Sequence, residues 1–198
     1  MILARFRDGG LRIATVQARE ITYGQASTLL VLNLALGVGL GLVVMLLGPA
    51  LGWLYDEPAA VWVMLILGFS YVIGSGGVQF LGVMHRRMHY GRLAGVDVAA
   101  LALSVAAGVS AALAGAGVYA LPLAHLSLNL ATTVLAVVCS GWWPTRPVPL
   151  GEVRPMFKFG FSMAASGAVN QLGATSDRTL LGLISREATG LYLSLIHI

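Results

Sequence analysis

The sequence predicts an all-α, polytopic transmembrane helical bundle, and three observations predict it. First, 58% of the 198 residues are hydrophobic, 10% are charged and the mean hydropathy is +0.85. A soluble domain carries about a quarter charged residues, and no soluble fold of this length could bury so much apolar surface. Second, Asp, Glu, Lys and Arg are absent from four long runs, 21–55, 58–85, 98–145 and 159–176. Third, ten of the 12 Lys and Arg residues fall in alternate connections between those runs.

Each helix follows from a run and its breakers. A crossing needs about 20 apolar residues at a rise of about 1.5 Å each. The first run predicts a helix over 25–47, ended by Gly48-Pro49. The second predicts one over 59–81. The third is too long for a single crossing, and Gly115-Ala116-Gly117 divides it into helices over 93–113 and 118–140. The fourth begins a long helix that extends from about residue 152, through Phe157, to beyond 181. The expected total is five helices and part of another. Strand-like alternation is missing, and a spanning segment must satisfy its backbone internally, which favours helices.

The basic residues orient the bundle. Arg5, Arg7, Arg12 and Arg19 precede the first run; Arg86, Arg87 and Arg92 follow the second; Arg146, Arg154 and Lys158 follow the third. The intervening connections hold Asp56 and Glu57, or no charge. Cytoplasmic connections are enriched in Lys and Arg, so the basic ones are expected inside. Trp142-Trp143 is then expected at the cytoplasmic interface as an aromatic anchor. The net charge of +4 reflects this topology and does not indicate a nucleic-acid partner. The one cysteine, Cys139, allows no internal disulfide and reads as a small apolar residue. The polar, basic N-terminus reads as no cleaved signal peptide.

Polar residues on apolar helices are the candidate functional groups. At about 100° per residue, Ser162, Ser166, Asn170, Gly173 and Asp177 share one narrow face of the last helix. Arg178 is one step round, so it is not expected to pair simply with Asp177. Asp177 lies about 28 Å along the axis from Lys158, in the far, periplasmic half, and Arg178 can snorkel to that interface. A charge near mid-bilayer costs about 2.5–3.5 kcal/mol, so Asp177 should face either water or a partner helix. Another stripe holds His125, Asn129, Thr132, Thr133 and Ser140, readable as a pathway or as interhelical hydrogen bonding. Asp97 shares a face with Ser104, Gly108 and Gly115, which favours helix packing or a cytoplasmic closure over a proton site. Asn33, Gly37 and Gly41 read as a close helix contact.

Other patterns lead nowhere. Gly37, Gly39 and Gly41 lack the strand before and the Lys-Ser/Thr after of a nucleotide loop. His85 and His89 sit among arginines with no third ligand, so no metal site is expected there. No cofactor motif, nucleophile elbow or Cys-His set is present, and no loop could house a catalytic domain, so an enzyme is not expected.

The stretch from Phe6 to Gly37 includes Asp8-Gly9-Gly10-Leu11, Val16-Gln17, Ile21-Thr22, Gln25, Ser27-Thr28 and Asn33. It resembles the end of the second helix, the following loop and the third helix of bacterial polysaccharide flippases. These belong to the multidrug/oligosaccharidyl-lipid/polysaccharide superfamily, and the likeness is to its lipopolysaccharide and colanic-acid exporter branch. His85 to Leu93 looks like that family's loop between helices four and five. The stretch from Phe157 to Tyr192 looks like its seventh helix and the turn beyond, with Phe159-Gly160, Asn170, Asp177, Gly182 and Gly190-Leu191-Tyr192 in register. The resemblance covers residues 5–192 and marks the branch without identifying the sugar.

The resemblance implies a partial MATE-like fold: part of a transporter with two six-helix lobes around a cavity. It divides the chain into a truncated helix end and cytoplasmic loop (1–24), four helices of the N-terminal lobe (25–141), a cytoplasmic inter-lobe linker (142–156), the first helix of the C-terminal lobe (157–192) and a non-native tail (193–198). It implies a bacterial inner-membrane protein that moves undecaprenyl-diphosphate-linked oligosaccharide. Membrane lipids, a polysaccharide polymerase and glycosyltransferases would be its neighbours, with no nucleic acid. Polar stripes would suit a wet cavity for the sugar, and basic groups would attract the diphosphate. Three other readings stand beside it. A cation-coupled drug exporter of the same superfamily would need an acidic ion site. A membrane-embedded glycan enzyme would need a catalytic cluster on an outer loop. The last is a scaffold subunit.

Overall fold

The computed structural model describes residues 10–184, with the side chains of 168 and 171–184 excepted. Regular structure among the described residues is helical throughout: α1 (Leu11–Gln17), α2 (Tyr23–Leu54), α3 (Ala59–Arg86), α4 (Tyr90–Leu113), a 3-10 turn (Gly117–Tyr119), α5 (Ala120–Ser140) and α6 (Leu150–Ile184). Among the described residues four helical segments are long and apolar enough to cross a membrane: α2, α3, α4 and α5 with its preceding 3-10 turn. The expectation of five crossing helices thus meets four strongly apolar ones. The fifth, α6, is the longest at 35 residues, but polar residues such as Ser162, Ser166 and Asn170 dilute its apolar run.

The starts and stops follow local chemistry. At α2, Thr22 and Gln25 form a capping box: Gln25 N–H donates to Thr22 Oγ1 at 3.2 Å, and Thr22 N–H donates to Gln25 Oε1 at 3.0 Å. This helix does not end at Gly48-Pro49 as expected; it continues to Leu54. The proline deletes one backbone donor, while packing on α3 carries the helix past it. A Cβ on Gly48 would lie 3.3 Å from Val61 Cα, and one on Gly52 would lie 3.1 Å from Val61 Cγ2. The break between α4 and α5 falls where expected, with Gly115 at φ 83° and Gly117 at φ 53°. A short helix, α1, lies within the stretch read from sequence as a helix end and loop.

Helix α3 is the hub, packing against α1, α2 and α5, with α4 laid on α5. The contact of α2 with α3 is made of small residues. Gly37 faces Ser75; a Cβ on Gly41 would sit 2.8 Å from Gly68 O, and one on Gly68 would sit 2.7 Å from Gly41 O. In lipid, helices associate through close packing and polar contacts, so missing side chains are what let the backbones meet. Across α4 and α5, Ser104 Oγ donates to Ala124 O at 2.8 Å, and Gly108 faces Ala124 Cβ.

At the basic end Trp142 departs from expectation. It is 2% exposed and packs against Phe80 at a centroid distance of 5.0 Å, while Trp143 is 74% exposed. Gly141, at φ 59°, turns the chain so that the Trp142 ring folds back onto α3 and is buried, leaving Trp143 as the exposed ring of the pair. The connection that follows is stitched to α2. Thr145 N–H donates to Ser27 Oγ at 2.8 Å, Val148 N–H donates to Thr28 Oγ1 at 2.8 Å, and that hydroxyl donates back to Val148 O at 2.9 Å. Helix α6 then buries Val153 with Leu11 and Leu29, and Gly160 meets the backbone of Gly10.

Replacing Gly41 by Val should separate α2 from α3 and cost about 1–3 kcal/mol by overpacking, read as a lowered melting midpoint in detergent. Gly39→Ala should not lower the midpoint, because a Cβ there meets nothing within 4 Å and alanine is the better helix former.

Candidate functional site

The stripe on α6 is the clearest candidate for a surface that meets a substrate. Ser162, Ser166 and Asn170 are exposed, whereas Gly160 and Ala164, each two residues earlier and so about 200° round the helix, are buried. The polar face therefore points away from the side by which α6 docks. Gly173, Asp177 and Arg178 continue along α6, but their side chains, and the question of an Asp177–Arg178 pair, lie outside the described residues, as does the tail at 193–198.

The α5 stripe behaves differently. Asn129 is 6% exposed, and its Nδ2 donates to Ser70 Oγ at 2.8 Å and to His125 O at 3.0 Å. Ser70 Oγ donates to His125 O at 3.3 Å, so three polar groups close a small interhelical cluster between α3 and α5. Thr133 Oγ1 donates to Ile73 O at 3.0 Å. His125 is half-buried, with its ring edge-on to Tyr71 at 6.3 Å. Asn129 and Thr133 thus make interhelical hydrogen bonds of the kind the packing alternative expects. Asp97 is exposed, and the buried stripe of α4 consists of Leu93, Val96, Ala100 and Ser104. Ser104 and Gly108 pack on α5 as expected, but Asp97 lies at the edge of that contact and does not join it.

Two arrangements escaped the sequence. One is a buried amide–hydroxyl chain linking three helices: Gln79 Nε2 donates to Thr15 Oγ1 at 2.8 Å, Thr15 Oγ1 donates to Leu11 O at 2.9 Å, and Asn33 Nδ2 reaches Gln79 Oε1 at 3.5 Å. Its signal was Gln79, an amide inside a charge-free run. The other is a set of arginine caps. Arg86 donates to the carbonyls of Thr15 (3.0 Å), Ala18 and Arg19 (3.0 Å), at the C-terminal end of α1. Arg87 donates to Ser140 O at 3.3 Å, and Arg92 to Cys139 O at 3.2 Å, both at the C-terminus of α5. Cations suit helix C-termini, so these side chains knit the basic end together as well as being solvated.

Comparison with known proteins now places the chain. The family described as "Polysaccharide biosynthesis protein" matches residues 1–194. The chain belongs to that family. Among curated relatives, it is 28% identical over 188 residues to the teichuronic acid biosynthesis protein TuaB of Bacillus subtilis (strain 168), covering 93% of this chain and 39% of that protein. It is 22% identical over 183 residues to the lipopolysaccharide biosynthesis protein WzxC of Escherichia coli (strain K12), covering 89% of this chain and 36% of that protein. The chain thus spans about two-fifths or less of the curated relatives it matches. No solved structure matches it. With its four apolar spans it is a multi-pass membrane protein of the polysaccharide biosynthesis family.

If Asn129 serves the α3–α5 contact, a double-mutant cycle of Ser70→Ala and Asn129→Ala should return a coupling of about 0.6 kcal/mol, with a ceiling near 1.7 kcal/mol for such bonds in membranes. Unfolding in a mixed-micelle titration measures it, and additive effects would remove the packing role.

Proposed function

We propose that this chain is part of a flippase that moves an undecaprenyl-diphosphate-linked oligosaccharide across the bacterial inner membrane during surface polysaccharide synthesis, and that it acts as a transporter, not an enzyme. The family match along residues 1–194 carries this reading. The names of TuaB and WzxC, both biosynthesis proteins of cell-surface polymers, support it. So does the exposed polar face of α6, because hydroxyls and an amide on a membrane helix suit a hydrated path for a sugar head. In this reading 25–141 belong to the N-terminal lobe, 142–156 link the lobes and 157–192 begin the C-terminal lobe. Ser166, Asn170 and Asp177 line the pathway, with Arg178 turned aside. His125 and Asn129 support the wall from behind, and Asp97 lies near the cytoplasmic side. The glycan-linked lipid is the substrate; polymerase and glycosyltransferases act before and after it.

The charges at the helix ends support one orientation. Arg86, Arg87, Arg92 and the linker share one end of the bundle, and Asp56 and Glu57 connect α2 to α3 at the other. The basic end is cytoplasmic by the charge rule. In a Cys139→Ala background, an impermeant maleimide added to intact cells should label a cysteine placed at Asp56 and spare one placed at Arg87. The reverse pattern would invert the topology.

Asp177→Asn in the full-length transporter should remain in the membrane at wild-type abundance yet sharply lower polysaccharide export. An asparagine can replace an aspartate as a hydrogen-bonding packing group but cannot carry its charge or proton. Near-normal export at matched abundance would leave Asp177 a packing residue.

A further inference from the structure

A pocket of about 270 Å³ opens at the basic end between α2, α3 and the segment leading into α2. Its walls include Ile21, Ala26 and Val83, and its polar rim includes Tyr23, Arg86 and Arg87. The Arg87 guanidinium also donates to Tyr23 Oη at 3.1 Å, which fixes the rim. Three features make this pocket electropositive. Among the described residues both guanidinium groups are met by carbonyl or hydroxyl oxygens, and no carboxylate forms an ion pair with either. Each guanidinium has five N–H donors, more than the terminal-nitrogen bonds described here consume. The N-terminus of the 32-residue α2, capped by Thr22 and with no acidic residue in its first turn, adjoins the pocket and adds the positive end of its dipole.

We propose that this pocket binds the phosphate of an anionic membrane phospholipid, with the glycerol end of its acyl chains against Ile21, Ala26 and Val83. Charge complementarity selects the head: an arginine pair matches phosphate geometry, and basic pockets between membrane helices are suited to anionic lipid heads. The apolar walls select a lipid over a free ion, because inorganic phosphate would gain nothing from them. Arg86 and Arg87 would then serve two purposes, holding α1 and α5 by their carbonyls and presenting their remaining donors to the membrane. The pocket is distinct from the polar face of α6, so its test stands whatever the transported substrate.

The full chain, purified in detergent, is offered equimolar phosphatidylglycerol and phosphatidylcholine, and native mass spectrometry reads the retained lipid. Phosphatidylglycerol should be retained in preference. Arg87→Gln should weaken retention about fivefold, the scale of one basic residue near an anionic surface. Arg92→Gln removes the same charge from the same end of the bundle but, in the first turn of α4, lies outside the pocket, and should retain lipid as wild type does. A second readout needs no variant: phosphatidylglycerol should raise the melting midpoint of the wild-type chain, and millimolar inorganic phosphate should not. Equal retention of the two lipids, an equal loss in Arg92→Gln, or equal stabilisation by inorganic phosphate would each overturn the proposal.

Discussion

Everything in this bundle hangs from the glycine contact between α2 and α3. Lipid supplies no hydrophobic drive for two apolar helices to meet, so association depends on how closely their backbones approach. Gly37, Gly41 and Gly68 allow that approach, with Ser75 filling the space opposite Gly37. With α2 fixed, Asn33 comes within reach of Gln79, and Gln79 in turn holds Thr15 of α1. The opposite side of α3 is then free to receive α5 through Ser70, Ile73 and Gly77. One helix thus organises three neighbours, with small residues where backbones touch and polar side chains where a bond fixes depth.

The basic end shows how one set of residues meets two constraints. Arginines on the connections orient a membrane protein by remaining on one side of the bilayer. Helix C-termini on that side present carbonyls that lack intrahelical donors. Arg86, Arg87 and Arg92 meet both, since the groups that cannot cross are also those that cap α1 and α5. The family match extends over this whole region, and these caps give the short α1 a firm attachment that seven residues could not secure alone.

Much of the architecture was legible because membranes simplify the code. Charge-free runs located α2 to α5, and the glycines at 115 and 117 located the break in the third run. The small-residue stripe Asn33, Gly37 and Gly41 was read correctly as a helix contact. What failed depended on tertiary partners. Pro49 reads as a stop until the contact of Gly48 and Gly52 with Val61 is known. Trp142 reads as an exposed ring until Gly141 turns it onto Phe80. The helical period alone placed Ser162, Ser166 and Asn170 on one face, and those three are exposed. It could not say that Asn129 spends its amide on Ser70, because the partner lies 59 positions away in sequence.

The nine residues between α5 and α6 look, by length, like a slack tether. They are not slack. Trp142 is sunk in the core, and Thr145 and Val148 are bonded to two adjacent side chains of α2, so the stretch behaves as a seam sewn almost to its end. Only Pro149 separates the last stitch from the first residue of α6. The start of α6 is therefore held beside Thr28, and α2 sets where the exposed Ser162, Ser166 and Asn170 begin their path along that helix.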